Sequence, residues 1–298
     1  MRKITGLIMI LFASLMAGAG GLMAADGDWT VKSDVQGSYA GYSSSTLRNS
    51  FTSGGVLISA DYLDRGGITL GGNLSSVNFK VGNDINQQSA FVSLWHNIFA
   101  DVLPGVLTLR LDGHFINNDD ATGDTDGVKV FAPRISFLNF DKTFYLDMGY
   151  AHSTYRNNLT VNQYSPTIGF GFNAGADWLQ LRVWLIDPSN SLRAQNINST
   201  TALEIKLTHW LAPDAWLGVD NIRTNILLGK RIYAVDGDAA AVYNLADIQR
   251  DSISFGAQWR LTESVGLLLF AGHERYLNNT ISDAYASNYV YANLSAEW

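Results

Sequence analysis

Apolar and polar residues alternate along much of the chain. Leu107, Leu109, Leu111, Gly113 and Phe115 share one face of an extended segment, and Thr108, Arg110, Asp112 and His114 share the other. The pattern returns with Leu179, Leu181, Val183 and Leu185 against Gln180 and Arg182, and with Leu203, Ile205 and Leu207 against Glu204, Lys206 and Thr208. Ile253, Phe255, Ala257, Trp259 and Leu261 oppose Ser254, Gly256, Gln258 and Arg260. The chain ends the same way, with Val290, Ala292, Leu294, Ala296 and Trp298 opposing Tyr291, Asn293, Ser295 and Glu297. Period two is the signature of a strand with unlike faces. One such strand would suit a soluble sandwich. About a dozen, each about ten residues long, fit a closed barrel with lipid outside and water inside.

The connections refine this picture. Short turns are expected near Asp64, Pro104, Asp141, Asn173, Pro213 and Glu263, and longer polar loops near Ser44, Gly82, Asn118, Asn157, Asn190, Asp238 and Asn279. Alternating short and long connections place both chain ends on the periplasmic side and give about 14 strands. The stretch from Leu217 to Tyr233 breaks the alternation and has room for a bulge, so about 12 or 16 strands remain alternatives. Trp29, Trp95, Trp178, Trp210, Trp216, Trp259 and Trp298 fall beside expected periplasmic ends, and only Trp184 sits in mid-strand. An amphipathic indole at that rim anchors a barrel at the membrane interface. The expected fold is all-β, an antiparallel up-and-down transmembrane barrel covering residues 26–298.

Composition agrees with a lipid-facing surface. Charged residues are 16% of the chain, against about 25% in an ordinary soluble domain. The absence of cysteine excludes disulfides, zinc–thiolate sites and a cysteine nucleophile. A net charge of −7 argues against nucleic acid as a partner. Arg2 and Lys3 precede an uncharged apolar run, Ile4 to Ala19, then small residues up to Asp26. That is the layout of a secretory signal peptide over residues 1–25, cleaved after Ala24 or Ala25, with a retained transmembrane helix as the alternative. Its loss takes the net charge to −9. No later stretch approaches the roughly 18 apolar residues of a spanning helix. The Gram-negative outer membrane is the expected location.

Candidate chemistry is sparse. His96, His114, His152, His209 and His273 show no spacing suited to a metal, and Gly169, Gly171 and Gly175 do not precede a helix as a phosphate cradle would. His152, Ser153 and Thr154 superficially resemble the His-x-Ser arrangement of outer-membrane lipid hydrolases. Threonine stands where serine is needed, His152 takes the lipid-facing phase, and no orienting acid is in evidence. No catalytic residue, metal or cofactor is therefore expected. Asn117, Asn118, Asp119, Asp120, Asp124 and Asp126 form an acidic loop whose oxygens could hold calcium, but without the spacing of a calcium loop. A solvated loop is the expectation, and the same holds for Asp236 and Asp238. Clustered acids at a channel mouth predict a modest cation preference. Ala239 to Val242 either folds inward as a constriction or packs as a short helix.

The polar phase carries Arg110, Asp112, His114, Arg134, Asp147, Arg182, Glu204, Lys206 and Arg260. Lysine or arginine facing lipid at the midplane costs about 2–4 kcal/mol, so these residues are expected to line the lumen. They either filter solutes or pair with one another and plug the barrel. Thr143 to Tyr155 (TFYLDMGYAHSTY), Asn225 to Asp236 (NILLGKRIYAVD) and Ser252 to Tyr276 (SISFGAQWRLTESVGLLLFAGHERY) resemble the YaiO-type barrels of exopolysaccharide export. The resemblance implies a conduit associated with polysaccharide secretion and supplies no site residues. The expected function is a channel for hydrophilic solutes or an oligosaccharide. An outer-membrane enzyme acting on lipid or glycan, or a non-conducting structural barrel, are the alternatives. Expected partners are outer-membrane lipids, a polysaccharide, and the barrel-assembly machinery, which would engage the strand ending at Trp298. A monomer is expected.

Overall fold

The computed structural model describes residues 28–100, 102, 104–212 and 218–298. The leader, the turn at Pro213 and Trp216 lie outside the described residues. The barrel strands are β1 (Trp29–Ser43), β2 (Arg48–Tyr62), β3 (Gly66–Phe79), β4 (Ile85–Ala100), β5 (Gly105–Asn118), β6 (Val128–Asn139) and β7 (Phe144–Tyr155). They continue with β8 (Leu159–Phe172), β9 (Asp177–Pro188), β10 (Thr200–Trp210), β11 (Val219–Arg231), β14 (Ile248–Arg260), β15 (Val265–Asn278) and β16 (Asp283–Glu297). Each pairs antiparallel with its neighbours in chain order, and β1 closes on β16 from Lys32↔Glu297 to Ser43↔Ala286. The barrel has 14 strands. Two short strands, β12 (Val235–Asp236) and β13 (Ala241–Val242), form a separate hairpin inside the β11–β14 connection.

The alternation read from the sequence is the alternation observed. Ile58, Leu70, Leu94, Leu111, Phe131, Met148, Leu185, Ile222, Phe255 and Val290 project outward, large and exposed. Such a belt is unfavourable in water and suited to hydrocarbon. The irregular stretch before Tyr233 is bulged as its sequence suggests: β11 slips against β14 between Val219 and Asn221 and again between Leu228 and Arg231. Gly229 sits in the second slip at φ 105°, a conformation side chains resist.

Two expectations need correction. Loop lengths do not simply alternate. The connections at residues 44–47, 156–158 and 279–282 are tight turns; Asn157 and Asn158 adopt φ 58° and 56°, the left-handed pair of a compact hairpin. The flanking strands run almost to these turns, so polar residues that suggested loops belong to strand ends. Among the described residues, Trp29, Trp95, Trp178, Trp210, Trp259 and Trp298 sit toward the periplasmic ends, but they do not all face lipid. Trp29 opposes Tyr62 on the outside, with ring centroids 5.1 Å apart, and Trp259 shares the outward face of β14. Trp95 opposes Arg110, and Trp178 opposes Thr208, both on the inward register, which Trp210 shares at the rim. A periplasmic position therefore does not decide which side of the wall an indole occupies.

The buried core lies within the barrel, in the half away from the chain termini. Val128, Val130, Leu159, Val161, Trp184, Ile186, Leu227 and Ile248 point inward there and pack around Ile232, Tyr233, Ala234 and Val235 of the β11–β14 connection. Barrels of about 8 strands fill with side chains alone, and 14 strands leave space for more. Residues 232–247 fold into that space.

Candidate functional site: the lumenal charge ladder and the inward loop

Each of the nine lumen candidates takes the inward register. Arg110 on β5 opposes Arg134 on β6, Asp147 on β7 opposes Thr167, and Arg182 on β9 opposes Glu204 on β10, with Lys206 one inward position further along. Along β5, Asp112 accepts from Arg110 Nε at 2.8 Å, and His114 packs its ring against Phe91 at a centroid distance of 4.8 Å. Arg134 pairs with Asp147, whose carboxylate also accepts from the Tyr145 hydroxyl at 2.7 Å. Arg260 stands apart at the periplasmic rim, exposed and 3.1 Å from Asp220. The other eight surround one feature, the tip of the inward loop.

That tip is Asp236–Gly237–Asp238, and its position overturns the expectation of solvated loop acids. Arg134 Nη1 reaches Asp238 Oδ1 at 2.6 Å, Arg182 Nη2 reaches Asp238 Oδ2 at 2.5 Å, and Lys206 Nζ lies 3.3 Å from the same oxygen. Arg182 Nη1 is 3.6 Å from Asp236 Oδ1, and Arg110 Nη2 donates to the Gly237 carbonyl at 2.9 Å. Asp238 keeps 34% of its side chain exposed to the lumen, and partial desolvation there would by itself raise its carboxyl. Arg182, Lys206 and Arg134 outweigh it and hold that carboxyl well below the usual range. The fit at Gly237 is close, since a Cβ there would stand 2.9 Å from Asp112 Oδ2. Ala239 to Val242 thus takes the inward course of its two alternatives, and Ala241 and Val242 form the return strand of the small hairpin.

The loop is tied at both ends. At its start, Gln163 bonds the Val235 N–H at 2.9 Å and the Val235 carbonyl at 2.8 Å. Tyr233 is buried at φ 54°, a costly conformation for an aromatic residue, and its hydroxyl donates to the Arg193 carbonyl at 2.7 Å. On the return, Asn244 reaches Gln87 at 2.7 Å. Asp247 pairs with Arg48 on β2 and accepts from Tyr285 at 2.9 Å and Asn278 at 2.8 Å. A cavity of about 350 Å³ remains on the periplasmic side of the tip, lined by Asp34, Gln36, Arg223, Asp238, Gln258 and Tyr291 among others.

The acidic loop after β5 spreads its carboxylates among separate partners. Asp119 accepts from the Asn86 N–H at 2.6 Å, and these Asn86 hydrogen bonds lower its pKa. Asp120 receives the Thr122 and Thr125 N–H groups at 3.0 and 3.1 Å. Asp124 lies 3.4 Å from Arg193, and Asp126 lies 2.6 Å from Arg156. Asp119, Asp124 and Asp126 tie this loop to neighbouring segments, while Asp120 braces it from within. On the outer wall, His152 Nδ1 and the Tyr150 hydroxyl both meet Asn162 Oδ1 at 2.8 Å.

Sequence reasoning took Asp236 and Asp238 for solvated loop acids and did not single out Asp247, Arg48 or Gln163. One signal was legible. Val128, Val130, Val161 and Ile186 occupy the inward phase, where a water-filled lumen would select polar residues. Apolar residues on both faces of a strand mean that both faces are covered.

No family model and no curated protein matches the chain in sequence. Among solved structures, a "Bacterial polysaccharide outer membrane secretin" superposes with a TM-score of 0.54 at 9% identity, covering 90% of this chain and 98% of the other. The "KdgM porin" gives 0.41 at 8%, covering 87% and 97%, and the translocator domain of the autotransporter NalP from Neisseria meningitidis gives 0.43 at 13%, covering 99% and 97%. At such identities the likeness is one of fold. The closed 14-strand wall and its apolar outer belt, with the likeness of fold to the secretin alone, mark the chain as a β-barrel of the Gram-negative outer membrane.

Proposed function

We propose that the barrel is a loop-gated channel for hydrophilic solutes, held in its closed arrangement by the inward loop. The observation that carries this reading is the attachment of the loop tip. Asp236 and Asp238 meet the wall through ion pairs with Arg134, Arg182 and Lys206. Such contacts can exchange for water and solute, whereas a continuous apolar seal cannot. The cavity of about 350 Å³ beside the tip supplies the start of a route along the β1, β2 and β14–β16 wall. The resemblance to exopolysaccharide barrels supports a saccharide as the cargo. His152 faces away from the lumen and bonds an asparagine, so the proposal assigns no catalysis.

The apolar cluster around Tyr233 favours a second reading, a barrel permanently plugged and structural in role. Planar-bilayer recording separates the two. Wild-type protein is expected to show small, infrequent steps, and a variant with residues 236–242 replaced by a short Gly-Ser linker is expected to conduct steadily. Silence from both, with folding intact, would favour the structural barrel.

A further inference from the structure

The ladder is arranged around a charge that the wall itself lacks. Arg110 and Arg134 are direct cross-strand partners. Like charges so placed repel unless an acceptor lies between them. Arg182 and Lys206 add two more cations on β9 and β10. Asp112, Asp147 and Glu204 on the wall offset three of these four. The remaining acceptors come from the loop: the Gly237 carbonyl for Arg110 at 2.9 Å, and Asp238 for Arg134 and Arg182 at 2.6 and 2.5 Å. Arginine forks match planar carboxylates. Two carboxylates two residues apart thus occupy a cationic surface that would otherwise be available to a solute.

The opposite wall has a different character. Phe270 on β15 and Tyr289 and Tyr291 on β16 take the inward register, and Tyr291 donates to Gln36 at 2.9 Å. Rings with polar tips offer apolar faces together with hydrogen bonds. That combination complements a sugar, which presents C–H faces and hydroxyls.

We propose that Arg110, Arg134, Arg182 and Lys206 form a binding site for the carboxylates of an acidic oligosaccharide, and that Asp236 and Asp238 are a built-in substitute which the solute displaces. The proposal depends on the channel reading only for the route by which solute arrives. Freeing the ladder from its internal competitor raises apparent affinity by the reciprocal of the fraction of sites that were free before.

The test is calorimetric titration of the full-length, detergent-refolded barrel with trigalacturonic acid, using maltotriose and inorganic phosphate as comparison probes. Heat-modifiable gel migration verifies the folding of each variant. Asp236→Asn with Asp238→Asn is expected to tighten trigalacturonate binding about tenfold or more. Adding Arg134→Gln and Arg182→Gln to that background is expected to abolish it, since each charge-assisted contact is worth about tenfold or more. Lys206→Gln, a milder change at the edge of the ladder, is expected to give an intermediate loss. Equal binding of maltotriose, equal binding of phosphate, or indifference to the arginine and lysine changes would each overturn the assignment. Bilayer recording on the same samples keeps the two readings apart. Binding without conductance in any variant supports the site and sinks the channel; conductance without binding does the reverse.

Discussion

Arg134 and Asp238 meet at 2.6 Å inside the barrel, joining β6 to the tip of a loop that enters the sequence 104 positions later. A Cβ at the neighbouring Gly237 would stand 2.9 Å from Asp112 Oδ2, so a large side chain there competes with the seating of the tip. Gly237→Leu should therefore dislodge the tip and increase single-channel conductance without loss of the heat-modifiable barrel. Unchanged conductance would show that the tip does not depend on this fit.

The loop returns to the wall through Arg48 and Asp247, both buried and supported by Tyr285 and Asn278. Removing one partner of a buried ion pair costs about 3–5 kcal/mol, because the other charge is left uncompensated. Arg48→Met should lower the temperature at which the folded band disappears on gels and increase current noise. Arg48→Met with Asp247→Leu should recover much of the thermal loss, since no buried charge then stands alone.

The carboxyls of buried Asp236 and of lumen-exposed Asp238 lie below the ordinary range despite partial desolvation, because Lys206 and Arg182 lie close to both and Arg134 faces Asp238. A depressed carboxylate stabilises the closed tip above its ordinary pKa of about 3.9, and the contribution fades only as pH falls through the lowered value. Conductance should thus stay constant from about pH 8 to pH 5 and rise only in stronger acid. His114→Gln, which removes the imidazole two residues from Asp112, should leave the profile flat. A transition near neutral pH that survives this change would contradict the assignment.

The acids after β5 remain a reason to expect a modest cation preference at the mouth, but they do not contribute equally. Asp124 and Asp126 face Arg193 and Arg156, whereas Asp119 and Asp120 bond asparagine and threonine. Reversal potentials in asymmetric KCl should shift more for Asp119→Asn with Asp120→Asn than for Asp124→Asn with Asp126→Asn. The difference should shrink as salt rises, since the screening length falls from about 10 Å at 0.1 M to about 3 Å at 1 M.

His152→Ala removes a ring that bonds Asn162 on the lipid side. Folding yield and conductance should be unchanged, and neither wild type nor variant should hydrolyse lipid or glycan. Hydrolysis present in the wild type and lost in the folded variant would establish an enzyme instead.

Much of this architecture is local, and local features are legible in a sequence. Alternation at Leu107–Phe115 or Val290–Trp298 records which atoms meet lipid and which meet water, residue by residue. It therefore identifies strands, their inward residues and the barrel class. The slips around Val219 and Arg231 were visible as a fault in that same rhythm. The loop's course was not, because an Asp-Gly-Asp segment has the same composition in solvent as inside a lumen. What places it there is the convergence of Arg110, Arg134, Arg182 and Lys206 from four strands, and an apolar inner surface at Val128, Val161 and Ile186 that must be covered. Arg110 meets Arg134 through the β5–β6 pairing, and Arg182 and Lys206 lie on the paired strands β9 and β10, but the two groups face one loop from around a lumen only when β1 closes on β16. The alternation determined the wall by itself; the closure of the wall decided what fills it.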